Sequence, residues 1–137
     1  SNLDFAQTFL DIAGVKSPAD MQGASLVPLL KGHSPKDWRT HFYYHYYEFP
    51  GAHSVARHYG VTNGRHKLIH FYQNDEWELF DLKKDPNELL SVYGNSDYKK
   101  IQSDLLAELK RLRVHYKVPE EDPVRPQRQR PNRPKKK

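Results

Sequence analysis

Hydrophobic positions change their spacing twice along the chain, and each change marks a new kind of element. In "NLDFAQTFLDIAGV", Leu3, Ala6, Phe9, Leu10 and Ala13 recur every three or four residues. That spacing predicts a short amphipathic helix, with Asn2 as its N-cap and Gly14 as its stop. "KSPADMQGASLVPLLKG" is turn-rich, with one helical turn over Ser25 to Leu30, where Pro28 fits only in the first turn. After "HSPKDWRT" the period shortens. "HFYYHYYEF" is aromatic and favours a strand. "HYGVT" and "HKLIHFY" flank Asn63-Gly64, a strong hairpin signal. "EWELFDL" predicts a further strand, with Trp77 and Leu79 on one face and Phe80 on the other. "KKDPNE" is a turn. The helical period returns from Ser96, with Tyr98, Ile101, Leu105, Leu109, Leu112 and Tyr116 on one stripe and Asn95 or Ser96 as the cap. Lys110, Arg111 and Arg113 complement the dipole of that helix. Beyond Pro119 no period survives, and "VRPQRQRPNRPKKK" is expected to be disordered. These elements define an α+β architecture: a helix, a loop, a small antiparallel sheet of about four strands, and a long C-terminal helix laid on one sheet face.

Composition alters this picture in two ways. Hydrophobic residues make up 36% of 137, and nine Tyr, six Phe and two Trp are among them. Tyr prefers half-buried positions, so the expected core is thin and one-sided, of the kind that leans on a neighbour. The net charge of +5 is also uneven. From Lys117 onward there are eight Lys and Arg against three acids, while residues 1–116 hold fourteen of each sign. The basic character belongs to the tail and says little about the partner of the folded part. No run approaches the ~18 apolar residues of a membrane span, and no signal-peptide pattern opens the chain. With no Cys there is no disulfide, thiolate metal site or thiol nucleophile.

Candidate chemistry is sparse. His41 and His45 would converge on a metal if helical, but on a strand at about 3.3 Å per residue they lie ~13 Å apart. His66 and His70 fail in the same way, and Asp4 with Asp11 has no third ligand, so no metal site is expected. There is no Gly-x-Ser-x-Gly elbow and no Gly-rich phosphate cradle. The loop "EFPGAHSVARHYG" offers more. Pro50, Gly51 and Ala52 break the first strand, and His53, Arg57 and His58 follow on an irregular stretch. A guanidinium flanked by imidazoles suits a carboxylate or a sulfate, because the Arg fork makes paired charge-assisted hydrogen bonds. The plainer alternative is a solvated connection. The tail carries seven cations in its last fourteen residues with no aromatic among them. That pattern suits a solubilising or loosely polyanion-attracting segment better than a specific nucleic-acid binder.

"NLDFAQTFLDIAGV" with "DMQGASLVPLLKG", then "HYGV" with "HKLIHFY", and finally "EWELFDLKKDPNEL" resemble the C-terminal end of family S1 sulfatases. The resemblance is to bacterial enzymes acting on sulfated glycans, in the N-sulphoglucosamine and iduronate sulfatase branch. It runs in order from Asn2 to Leu112. It implies an alkaline-phosphatase-like fold whose large N-terminal domain holds a calcium ion and a formylglycine made from a Cys/Ser-x-Pro-x-Arg motif. No such motif occurs here, so no catalytic residue and no cofactor is expected in this chain. It would be a C-terminal fragment or truncated product, inactive alone. Residues 1–36 would belong to the edge of the catalytic domain, 37–118 to the C-terminal subdomain and 119–137 to a disordered basic tail.

The resemblance also implies that His53, Arg57 and His58 face the cleft and bind a sulfated saccharide. Thr62 stands where the family commonly has Arg, a change that bears on substrate preference but not on the fold, and His66 stands where it has Tyr. The expected partners are the chain's own catalytic domain and a sulfated glycan, with no membrane or specific nucleic acid, in the periplasm or outside the cell. A free-standing polyanion-binding module and a purely structural remnant remain the alternatives.

Overall fold

A computed structural model describes residues 1–51 and 53–122; Ala52 and the basic stretch from residue 123, expected to be disordered, lie outside the described residues. The order of elements is α1 (Leu3–Ile12), α2 (Val27–Leu30), β1 (Phe42–Tyr46), β2 (His58–Thr62), β3 (His66–Phe71), β4 (Glu76–Asp81) and α3 (Lys99–His115). The four strands form one antiparallel meander in the order β1-β2-β3-β4. Gly14, at φ +68°, ends α1. There the Val15 N–H reaches the Leu10 carbonyl at 2.8 Å and the Gly14 N–H reaches Asp11, which together satisfy two orphan carbonyls. Pro28 lies in the first turn of α2, where its missing N–H costs nothing. A 3₁₀ turn over Ser96–Tyr98 leads into α3, and the Asn95 side chain caps it by accepting from the Asp97 N–H.

Register explains the core. Tyr43 pairs with Val61, Val61 with Leu68 and Leu68 with Leu79, so one row crosses all four strands on a single face. Leu105, Leu109 and Leu112 of α3 close over that row together with Tyr98, and Val61, Leu68 and Leu79 are fully buried. The opposite face is covered more than a one-sided core predicts, since Ile69 and Phe80 are also buried. Part of the reason is Gly60: a Cβ there would stand 2.7 Å from the Tyr44 hydroxyl oxygen and 2.5 Å from the Leu68 carbonyl oxygen. The absent side chain lets the Tyr44 ring lie on the strand.

The β2–β3 connection takes three residues, Asn63 to Arg65, with Gly64 at φ +85°. The Asn63 side chain accepts from the Arg65 and His66 N–H groups at 3.1 and 2.7 Å. At the end of β4, Asp81 gathers Arg65 in two hydrogen bonds, the Tyr98 hydroxyl and the Lys83 N–H. The acids of "FDLKKDPNEL" are thus structural. Asp85 accepts from the Leu89 and Leu90 N–H groups, and Glu88 pairs with Lys67 across the sheet. Among the described residues no helix is long and apolar enough to cross a membrane.

α1 is built the opposite way from an ordinary surface helix. Asp4, Gln7 and Thr8 are buried, while Leu3, Phe5, Phe9 and Ile12 face outward, and Leu30 of α2 is exposed as well. The inward contacts are polar. Thr8 Oγ1 accepts from the Leu26 N–H at 2.9 Å, Asp4 Oδ1 from the Ala24 N–H at 3.0 Å, and Arg39 reaches Asp4 Oδ2. Burial pushes the Asp4 carboxyl up, but the Arg39 guanidinium and the Ala24 N–H outweigh it and hold the group below its ordinary value.

Candidate functional site

The loop from Tyr47 to Arg57 joins β1 to β2 and carries two of the three residues singled out in the sequence, His53 and Arg57. His53 is exposed at its tip. Arg57 is half-buried and holds the loop shut: Nη2 donates to the Phe49 carbonyl at 3.2 Å and Nη1 to Asp122 Oδ2 at 3.0 Å. His58 is not on irregular chain. It is the first residue of β2, where its ring stacks on Tyr46 at 5.4 Å and its Nδ1 meets the Ala56 carbonyl at 2.8 Å. Arg57 and His58 therefore make separate contacts, Arg57 with Phe49 and Asp122 and His58 with Tyr46 and Ala56. The structure joins Arg57 to Asp122, with no hydrogen bond among His53, Arg57 and His58 in the described residues.

Asp122 is the centre of a second group that the sequence reading did not assemble. Tyr72 donates its hydroxyl to Asp122 at 2.8 Å, and His45 Nε2 lies 3.9 Å from the same carboxylate. The His45 ring stacks on Tyr47 at 3.7 Å and meets Tyr59 and Tyr72 edge-on. Burial pushes the His45 imidazole down to about 4, against the pull of Asp122. Burial also raises the hydroxyls of Tyr43, to about 12, and of Tyr72. Next to this group the Tyr59 hydroxyl meets His70 Nδ1 at 2.8 Å, and His70 stacks on Trp77 at 3.8 Å. Cross-strand register produces the whole row, because His45 faces Tyr59, Tyr59 faces His70 and His70 faces Trp77. The alternating pattern carried that signal, but only once the register is known.

This arrangement can bind and orient; it holds no nucleophile. The formylglycine and calcium implied by the resemblance do not fit these residues. The chain has neither Cys nor a Ser-x-Pro-x-Arg run. Among the described residues no group of three His, Cys, Asp or Glu could hold a metal ion. No chemical step is assigned to the chain.

Comparison with known proteins gives a consistent answer. The family model for the C-terminal region of N-sulphoglucosamine sulphohydrolase matches residues 1–115. An N-acetylglucosamine-6-O-sulfatase of Bacteroides thetaiotaomicron is 52% identical over 119 residues, covering 85% of this chain and 21% of that protein. A Δ4,5-hexuronate-2-O-sulfatase of the same organism is 33% identical over 74% of the chain and 21% of its own length. A protein solved in complex with its substrate D-glucosamine-2-N,6-O-disulfate superposes with a TM-score of 0.83 at 50% identity, over 87% of this chain and 25% of that one. The phosphonate monoester hydrolase of Agrobacterium radiobacter superposes at 0.64, with 27% identity, 82% of this chain and 24% of its own covered. The chain spans about a fifth of the length of the curated relatives it matches. The matched region takes in the first helix, the four-stranded meander and the long helix α3, and the chain belongs to the sulfatase C-terminal domain family of N-sulphoglucosamine sulphohydrolase.

Proposed function

We propose that the chain acts as the C-terminal subdomain of a sulfatase of sulfated glucosamine glycans, in the periplasm or outside the cell. In this role it completes the fold of a catalytic domain and walls one side of the substrate cleft. The observation that carries the reading is the inverted α1, which buries Asp4, Gln7 and Thr8 and presents Phe5, Phe9 and Ile12 to the outside. An apolar face of this kind marks a contact with another domain. Arg57 supports the cleft role, because its Nη1 already holds a carboxylate oxygen, that of Asp122, where a sulfate oxygen could compete. Nothing in the fold or the relatives supports a free-standing module that grips polyanions with its tail.

The test is a chimera in which this chain replaces the matching C-terminal fifth of the 52%-identical Bacteroides sulfatase. The chimera should fold and remove the 6-O-sulfate of N-acetylglucosamine; a soluble but inactive chimera would overturn the proposal. Within it, Arg57→Ala should lower kcat/KM roughly ten- to a hundred-fold, the scale of one lost charge-assisted contact. His53→Ala should act in the same direction, and Arg57→Lys should recover part of the loss. An unchanged kcat/KM with a lowered melting temperature would make Arg57 a clasp of the loop only. The chain by itself should hydrolyse no aryl sulfate; calcium-dependent turnover by the purified chain would contradict this.

A further inference from the structure

We propose that a cleft between α3 and the sheet is a second site for a sulfated saccharide, separate from the 53–58 loop. The cleft measures about 390 Å³ and lies over Tyr59 and Trp77, with Lys110, Arg113 and Lys117 along its rim and Glu120 the one acid lining it. That volume is within the range of small-ligand sites. The three cations follow each other at steps of three and four, which puts them on one flank of α3 and the turn beyond it. Glycan recognition needs both parts of this surface: aromatic and aliphatic walls for the carbon skeleton and fixed cations for the sulfates.

Two features show a surface prepared for a ligand. The first is Arg113. Its guanidinium lies 4.1 Å from the centre of the Tyr59 ring and also interacts with the Tyr43 hydroxyl, which fixes the cation beside the cleft. A cation held in place in this way can attract a sulfate with little further loss of freedom. The second is the rigidity of the floor. Trp77 stacks on His70 at 3.8 Å and on Tyr93 at 5.9 Å, and His70 is pinned in turn by the Tyr59 hydroxyl and Asp75. A floor held on all these contacts loses little freedom on binding.

Charge selects the occupant. The chain's own C-terminal segment carries seven Lys and Arg in its last fourteen residues, so it is repelled by a rim of the same sign. An anionic ligand is attracted. The class of ligand rests on the sulfated-glycan reading above; the position of the site does not.

The experiment uses the full 137-residue chain. A heparin-derived tetrasaccharide, its desulfated and N-acetylated counterpart, and a single-stranded DNA of equal charge are titrated by calorimetry at physiological ionic strength. The sulfated tetrasaccharide should bind and the desulfated one should not. Lys110→Glu with Lys117→Glu changes two exposed side chains and should leave the melting temperature unchanged while weakening binding by roughly tenfold or more. Deleting residues 124–137 should change the affinity by less than about twofold, because salt screens the charges that segment carries. No binding of the sulfated tetrasaccharide overturns the proposal. So does binding that survives the charge reversal but is lost in Arg57→Ala or on removal of the tail, or DNA that binds as tightly as the saccharide. Failure of the cleft role is read separately, from kcat/KM of the chimera on a small substrate, which the two Lys substitutions should leave unchanged.

Discussion

Changing Phe5 and Phe9 to Lys is expected to leave the isolated chain folded and to abolish its ability to complete a sulfatase. The two rings are 55% and 68% exposed, so the chain's own interior gains little from them. What seats α1 is the polar set on its other side. Leu26 and Ala24 N–H groups donate to Thr8 and Asp4, and the Ser25 hydroxyl donates to Asp11 at 2.5 Å. None of these bonds involves a Phe. Substitutions at such surface positions usually change stability by no more than about 0.5 kcal/mol. In an assembled enzyme the arithmetic reverses. Each buried Phe contributes roughly 1.5–3 kcal/mol, and each Lys put in its place must lose its hydration as well. Two such changes remove roughly 3–6 kcal/mol of apolar burial before the hydration cost is added, comparable with the ~5–15 kcal/mol net stability of a whole domain. The isolated wild-type chain should also self-associate through this face, and the double variant should not. Sedimentation and thermal melting of both, with activity of the corresponding chimeras, decide the matter. If the double variant unfolds, the face packs on its own chain; if its chimera stays active, docking uses another surface.

The same helix shows where the sequence was readable and where it was not. Spacing alone located α1, the strands and α3, because the hydrophobic periods of 3.6 and 2 follow from backbone geometry. Spacing did not say which way α1 faces. An apolar stripe reads the same whether it covers its own core or another domain, and only the placement of Asp4, Gln7 and Thr8 in three dimensions distinguishes them. The candidate site divides in a similar way. Arg57 was visible as a cation in an irregular loop, but its partner Asp122 is 65 residues further on, beyond the reach of any local rule. The row His45–Tyr59–His70–Trp77 depends on the register of three strand pairs, and a slip of one residue would have sent every member to the other face. His45 considered as half of a metal pair with His41 gave no hint of its place in an aromatic stack.

That buried imidazole gives the second large effect, an acid instability in two steps. Burial holds His45 at about 4, against 6.5 for a free side chain, so the unfolded chain takes up the proton first. Its contribution to stability is complete above pH 6.5 and is lost as pH falls toward 4. His66 adds to the loss with the same sign, since burial lowers it too and its Nε2 lacks a hydrogen-bond partner 3.7 Å from Asp81. Asp81 supplies the lower step. The Arg65 guanidinium holds its carboxyl at about 2 against 3.8 for a free one, so its contribution is present above pH 3.8 and disappears toward 2. His45→Phe keeps the ring stacked on Tyr47 and removes the titrating group, so it should flatten the fall between pH 6.5 and 4 while sparing the lower step. Asp81→Asn should remove the lower step and cost about 2–3 kcal/mol at neutral pH, because Arg65, Tyr98 and the Lys83 N–H lose an anionic acceptor. Urea unfolding of the three proteins across this pH range measures both slopes. An unchanged upper slope in His45→Phe would mean that the imidazole is hydrated and titrates freely. Where the prediction holds, acid acts first on the loop that carries Arg57, because His45 packs against the aromatic group through which Tyr72 and Asp122 hold that arginine in place.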